Sequence, residues 1–217
     1  MYTGITKGLF EVIEVNQKTA RIDYRVQLNN ELIIGLKTGD SVSIDGVCQT
    51  VVAVEGVSVT FNAIAETLSK TTLGSLFEGR KVSVERSVRI GDENGGHELA
   101  GHVVEMGVVV KRLLSENNLS LHLQCSSSIL RYIFEKGFIG LDGSSLTVGC
   151  IDKENATFAI HLIPETLRVT NFAHKQVGDN INIELDSRAV IITQTLEQHL
   201  ADIYTRLARL ENTKVVD

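Results

Sequence analysis

Two short polar constellations carry residue types that could do chemistry. Asp45-Gly46 is followed after one residue by Cys48, with Thr50 two positions on; Asp142-Gly143 is followed in the same way by Ser145 and Thr147. A nucleophilic group and a hydroxyl two residues apart lie on one face of a strand. Farther on in each case comes a Glu-Thr-Leu triplet, Glu66-Thr67-Leu68 and Glu165-Thr166-Leu167. Backbone groups at strand ends, together with short hydroxyls, match the donors and acceptors of a flat heteroaromatic ring with amide-like edges. The same residues also suit a plain structural role, with Cys and Thr in the ladder and Glu-Thr capping a short helix. Spacing alone leaves both readings open.

Other chemistries fail on spacing. His97 and His102 flank a Glu, but they stand five apart with glycines beside them, so no helical face can hold zinc. Asp92-Glu93-Asn94 opens like a calcium loop and lacks the closing Glu. No glycine-rich dinucleotide or phosphate loop and no serine elbow is present. No metal set is expected.

The two constellations belong to a duplicated unit. Asp45 to Val51 returns as Asp142 to Val148 and Gly4 as Gly101, at an offset of 97; Ile64 to Leu68 and Gly79 to Glu85 return at an offset of 99. Between Ile64 and Glu85, seven of 22 aligned positions are identical, where about one or two would be expected from ordinary residue frequencies. A period this long is the size of a small domain rather than a solenoid turn. Gly91 to His97 is too glycine-rich for a regular element and marks the boundary.

Each copy reads mainly as β. Val42–Asp45, Thr50–Val54, Val57–Phe61 and Val82–Glu85 are alternating or β-branched runs; Ile139–Asp142, Leu146–Ile151, Thr157–Ile163 and Ile181–Leu185 follow in the second half. Five or six short strands in so few residues suggest a small closed barrel, which leaves no open edge. A short helix is expected over Ser126–Phe134. Ile192, Leu196, Leu200, Ile203, Leu207 and Leu210 form one apolar stripe on a C-terminal helix. That stripe can meet partner copies in a coiled-coil-like arrangement or dock on its own barrels. The expected division is 1–97, 98–188 and a helix with tail at 189–217.

Composition narrows the function. Lys plus Arg is 21 against 27 for Asp plus Glu, a net charge of −6 that does not favour nucleic acid. Apolar residues make up 43%, enough to exclude global disorder. No apolar run approaches a membrane span. Three cysteines without a CxxC pair, and no secretion signal at the start, point to a reducing, cytoplasmic setting. Cys125 and Cys150 read as core residues.

The chain resembles the α-type riboflavin synthase family over nearly its whole length. The resemblance rests on Met1-Tyr2-Thr3-Gly4-Ile5, Asp45-Gly46-Val47-Cys48 with Thr50-Val51, Glu66-Thr67-Leu68, Gly95-Gly96-His97, Gly101-His102-Val103, Lys136-Gly137, Ser145-Leu146-Thr147-Val148, Ile163-Pro164-Glu165-Thr166-Leu167, and Val177-Gly178-Asp179 through Glu184 and Asp186. It implies two six-stranded Greek-key β-barrels plus one α-helix for oligomerisation, in a homotrimer. It implies a cofactor-free dismutation of two 6,7-dimethyl-8-ribityllumazine molecules by four-carbon transfer, giving riboflavin and a diaminopyrimidine. The active site would form between barrels of neighbouring subunits. Association with lumazine synthase is a further partnership the resemblance raises.

Carried over residue by residue, the first barrel's ring site would hold Gly4, Ile5, Thr6, Cys48, Gln49, Thr50, Asn62, Ala63, Ile64, Ala65, Glu66 and Thr67. The second would hold Gly101, His102, Val103, Lys136, Ser145, Leu146, Thr147, His161, Leu162, Ile163, Pro164, Glu165 and Thr166. Cys48 would supply or position the nucleophile, with His102, Ser145, Thr147 and Asp186 assisting proton transfer. His97 reads as structural. Tyr2 stands where the family usually has Phe, and Gln49 where Leu is common, on the strand face opposite Cys48. A non-catalytic lumazine- or flavin-binding antenna is the alternative.

Overall fold

The chain, as a computed structural model, is described over residues 1–115 and 118–213. Its first half contains β1 (Gly8–Gln17), β2 (Arg21–Gln27), β3 (Ser41–Ile44), β4 (Val47–Glu55), β5 (Ser58–Ile64) and β6 (Lys81–Arg86). They close into an antiparallel barrel in the order β1-β2-β5-β4-β3-β6. The second half repeats it with β7 (Glu105–Leu114), β8 (Leu119–Gln124), β9 (Phe138–Leu141), β10 (Ser144–Asp152), β11 (Thr157–Leu162) and β12 (Asn180–Leu185), in the cyclic order β7-β8-β11-β10-β9-β12. These are the expected two six-stranded Greek-key barrels followed by a helix.

Period-two burial drives closure. Ile22, Tyr24 and Val26 of β2 face inward, and Leu119, Leu121 and Leu123 of β8 do the same. Each such aliphatic contributes about 1.5–3 kcal/mol when fully buried. The long strands β1 and β7 escape a simple alternation reading. Each carries a register shift at the same place in the repeat, Val12/Glu14 and Val109/Lys111, which bends the strand around the barrel and breaks the pattern. Tyr24 donates to Gln49 Oε1 at 3.1 Å inside the first barrel. The second barrel has Leu121 and Leu146 at these two positions. A buried phenol needs an acceptor, so Gln49 belongs with Tyr24.

The helices are short except the last. α1 (Asn30–Ile33) and α3 (Ser127–Leu130) are single turns; α2 (Ala65–Lys70) and α4 (Pro164–Val169) carry the Glu-Thr-Leu triplets. The helix expected over Ser126–Phe134 is thus only Ser127–Leu130, because the chain must turn to enter β9. Cys150 also differs from expectation. It is exposed, since the irregularity between Val148 and Ile151 in β10 interrupts the inward alternation, whereas Cys125 is buried.

α5 (Ser187–Thr213) begins where Asp186 Oδ1 accepts from Arg188 N at 3.0 Å, a helix N-cap. Its first turns touch the second barrel through Gln194 to Tyr132 Oη and Arg131 to Glu197. Beyond that its stripe does not dock on its own barrels: Ile192, Leu196, Leu200, Ile203 and Leu207 are 48–61% exposed. The Leu210 side chain lies outside the described residues. No described helix is long and apolar enough to cross a membrane.

The barrels meet at their Asp-Gly turns. Asp45 and Asp142 have φ of 46° and 41°, and Gly46 and Gly143 follow at 81° and 82°, as a tight two-residue hairpin turn requires. A Cβ on Gly46 would sit 2.4 Å from the Gly143 nitrogen, so the two turns pack backbone on backbone. Both aspartates are fully buried, each with one cation: Asp45 with Arg80 and Asp142 with Lys175, both at 2.9 Å. Asn171 Nδ2 donates to both carboxylates, and Asn182 Nδ2 to the Asp45 carbonyl and to Thr72.

Burial first, then the Asp142 charge, pushes the Asp45 carboxyl from 3.8 up to about 6, against the pull of Arg80 and Lys175. A carboxyl with a raised folded pKa contributes stability that is fully present below its unfolded value and is lost as pH rises through the folded one. Relative to Asp45→Asn, the unfolding free energy of the native chain should therefore fall as pH rises from about 4 to about 6 and level off above. Urea unfolding of both proteins across that range checks it; a pH-independent difference would remove Asp45 from the account.

Candidate active site

The opening segment of each half crosses to the other barrel. Ser145 N donates to the Gly4 carbonyl at 2.9 Å, and Cys48 N to the Gly101 carbonyl at 2.9 Å. This changes the expected grouping. Gly4, Ile5 and Thr6 stand with Ser145 of the second barrel, while Gly101 stands with Cys48 and Val103 packs on the first barrel's core. Two buried carboxylates hold the crossings. Glu85 accepts from Thr3 N at 2.7 Å, Thr3 Oγ1 at 2.7 Å and Gly4 N at 3.0 Å; Glu184 accepts from Ala100 N at 2.6 Å and Gly101 N at 3.1 Å. Burial raises both carboxyls, and the backbone donors pull them back. The identical Glu at this position in both halves was the available sequence signal, since it ends the matched Gly79–Glu85 segment.

Ser145 and its neighbours line a cleft of about 330 Å³. One wall is Gly4, Ile5, Thr6 and Lys7; the other is Ser144, Ser145 and Leu146 of β10 with Glu165, Thr166 and Arg168 of α4. Thr6 Oγ1 lies 3.0 Å from Ser144 Oγ and ties the walls together. His97 is not merely a linker residue. Its Nδ1 lies 2.6 Å from Ser145 Oγ, and its ring stacks on Phe138 at 5.0 Å between centroids. Burial lowers its pKa, while nearby Asp186 opposes the shift. The imidazole Nε2 is buried and has no hydrogen-bond partner in the described structure.

Cys48 occupies the equivalent place in the first barrel and takes a hydrogen bond from Tyr2 Oη at 3.2 Å. Thr50 and Thr147 are exposed on the same strand faces as Cys48 and Ser145. His102 is exposed, and its charge lowers the neighbouring Glu184. Ile64, Ala65 and Glu66 are exposed where β5 enters α2, with Thr67 half-buried; Ile163, Pro164 and Glu165 are exposed at the corresponding turn. Glu66 pairs with Lys70 and Glu165 with Arg168 on their own helices.

Several expected residues lie away from the Ser145 cleft. The side chains of Gln49, Ala63 and Leu162 point into the barrels and are buried. Asn62 is half-buried. Lys136, at φ 64°, and His161, bonded to Ser120 Oγ at 2.7 Å, do not line the Ser145 cleft. Period-two alternation places every second residue of a strand inside, which a contiguous run of carried-over residues ignores.

The lumazine binding domain family matches residues 3–87 and 100–186. The riboflavin synthase of Escherichia coli is 40% identical over 202 residues, covering 93% of this chain and 94% of that protein. The chain belongs to the riboflavin synthase family. The riboflavin synthase of Chlamydia pneumoniae is 37% identical over 201 residues, covering 93% and 98%. Crystal structures of LumP share the fold. The complex with riboflavin gives a TM-score of 0.80 at 20% identity, covering 86% of this chain and 100% of that one. The complex with 6,7-dimethyl-8-(1'-D-ribityl) lumazine gives 0.76 at 21% identity, covering 85% and 98%. In this chain the two Gly crossings supply the duplicated frame on which the candidate site residues stand.

Those crossings require glycine. Gly4 and Gly101 have φ of 75° and 79°, and an added Cβ would lie 2.5 Å from Ser145 Cβ and 2.6 Å from Cys48 Cβ. Gly79 has φ 89° with nothing within 4 Å. Gly79→Ala should thus cost about 1 kcal/mol of strain alone, and Gly4→Ala or Gly101→Ala about 2–4 kcal/mol, with the barrel contact displaced. Denaturant unfolding of the three variants measures the contrast; equal losses would mean the crossings are not close-packed.

Proposed function

We propose that this chain is a transferase of riboflavin synthesis, dismutating two molecules of 6,7-dimethyl-8-ribityllumazine into riboflavin and 5-amino-6-ribitylamino-pyrimidinedione. The observation that carries the reading is the 40% identity to the Escherichia coli enzyme over 202 residues, twice the 20% shared with riboflavin-bound LumP. That contrast favours the enzyme over the antenna alternative.

The duplicated frame suits the reaction. Two identical molecules react in different roles, one donating a four-carbon unit and the other accepting it. Two related half-sites can present them in opposed orientation, so proximity and orientation supply much of the rate. One molecule must lose a proton from a ring methyl and the other must accept a nucleophile. Cys48 supplies or positions that nucleophile; His102, Ser145, Thr147 and Asp186 serve proton transfer. The exposed α2 and α4 entrances, Ile64 to Thr67 and Ile163 to Thr166, receive the ring edges and ribityl chain. No step in this scheme needs a cofactor.

The exposed stripe of α5 supports a homotrimer in which the first barrel of one subunit faces the second barrel of another. Five described aliphatics of the stripe, each worth about 1.5–3 kcal/mol on full burial, are enough to drive such assembly. The enzyme is expected in the cytoplasm, where lumazine synthase would supply its substrate.

Incubation with dimethyl-ribityllumazine alone should yield one riboflavin per two substrates consumed; binding without product would leave the antenna. Cys48→Ala should lower turnover far more than ligand affinity, with Cys48→Ser no worse than Ala, and unchanged turnover in both would reduce Cys48 to packing. Truncation after Asp186 should convert the trimer to monomers and remove most activity, with partial recovery at high protein concentration by mass action. Sedimentation and activity on one truncated sample decide this. A fully active monomer would dismiss the inter-subunit site.

A further inference from the structure

The two equivalent strand positions have different partners. Ser145 meets His97, whereas Cys48 meets Tyr2. Under the offset of 97, Tyr2 corresponds to Leu99, which has no hydroxyl, so the second half cannot make this contact. Tyr2 is fixed on both sides. Its backbone pairs with Leu99 at 2.7 and 3.0 Å, and the following Thr3 and Gly4 are bound to Glu85. The residue is 2% exposed, so its hydroxyl cannot swing out to water. Cys48 is held as firmly from the other side by its bond to the Gly101 carbonyl.

We propose that Tyr2 is a positioning residue that sets the reactivity of Cys48: its hydroxyl holds the sulfur in one orientation and, by donating to it, favours the thiolate over the thiol. A hydrogen bond to an ionised acceptor is stronger than one to the neutral form, so a fixed donor shifts the balance toward the anion. The thiolate is the nucleophilic form of cysteine. Burial, the bond to Cys48 and the nearby carboxylates of Glu85 and Glu184 push the phenol far above the ordinary tyrosine range. It therefore stays protonated, and a donor, through the neutral and mildly alkaline range. The catalytic consequence rests on the synthase reading; the effect on the thiol does not.

The test uses the full chain in a Cys150→Ser background, which removes the exposed thiol. Burial pushes the Cys125 thiol up to about 12, so it is silent at neutral and mildly alkaline pH. The remaining thiolate absorbance, or the rate of iodoacetamide alkylation against pH, then reports Cys48. Tyr2→Phe removes one oxygen and keeps the ring. The Cys48 midpoint should rise by about one pH unit, a tenfold change in the thiolate-to-thiol ratio. Alkylation at neutral pH should fall several-fold. Tyr2→Leu, which copies Leu99, should give the same upward shift. A midpoint that stays or falls in Tyr2→Phe overturns the inference, as does a rise in Tyr2→Leu alone, which would assign the effect to the ring. If the shift occurs but Cys48→Ala keeps full turnover, the role of Tyr2 stands and the nucleophile reading of Cys48 falls.

Discussion

Two buried carboxylates held by backbone N–H groups govern this molecule. Glu85 and Glu184 are buried at the ends of β6 and β12, and their partners are backbone N–H groups of the opening segment of their own half: Thr3 and Gly4 for one, Ala100 and Gly101 for the other. A buried carboxylate is tolerable only when such donors surround it. Meeting that demand pins each opening segment in place at the barrel junction. Gly4 then lands on Ser145 and Gly101 on Cys48, with so little room that only glycine fits. The cleft beside Ser145, the seating of Cys48 and the placement of Tyr2 follow from these two anchors.

The junction repeats the same physics one layer deeper. Asp45 and Asp142 face each other through the Asn171 amide, each with its own cation, and their glycine neighbours touch backbone to backbone. Removing one member of such a network leaves a buried charge unmatched, so the network specifies one mutual placement of the barrels more than it adds net stability. Symmetric carboxylates make the frame two-fold, while their partners are free to differ.

That freedom is used. Arg80 answers Asp45 and Lys175 answers Asp142; Tyr24 and Gln49 fill one barrel where Leu121 and Leu146 fill the other; Tyr2 meets Cys48 and His97 meets Ser145. A dismutation needs just this combination. Identical substrates call for identical frames, and opposite chemical roles call for different side chains on them.

The duplication, the two barrels and the C-terminal helix were legible in the sequence, because repeat offsets and period-two or period-3.6 patterns are local properties of the chain. So was the equivalence of Cys48 and Ser145, through their position after the Asp-Gly turns. The bulged strands β1 and β7 were not legible, since an extra residue breaks the alternation that marks a strand. The exposure of Cys150 was hidden by the same kind of irregularity in β10. Which half the opening segments serve was decided only by the tertiary structure. Gly4 and Ser145 are 141 residues apart in a chain whose halves look alike, and nothing local states whether a segment folds onto its own barrel or its neighbour's. The partnership of His97 with Ser145, and of Tyr2 with Cys48, became visible only in the tertiary structure, where the opening segments are seated at the barrel junction.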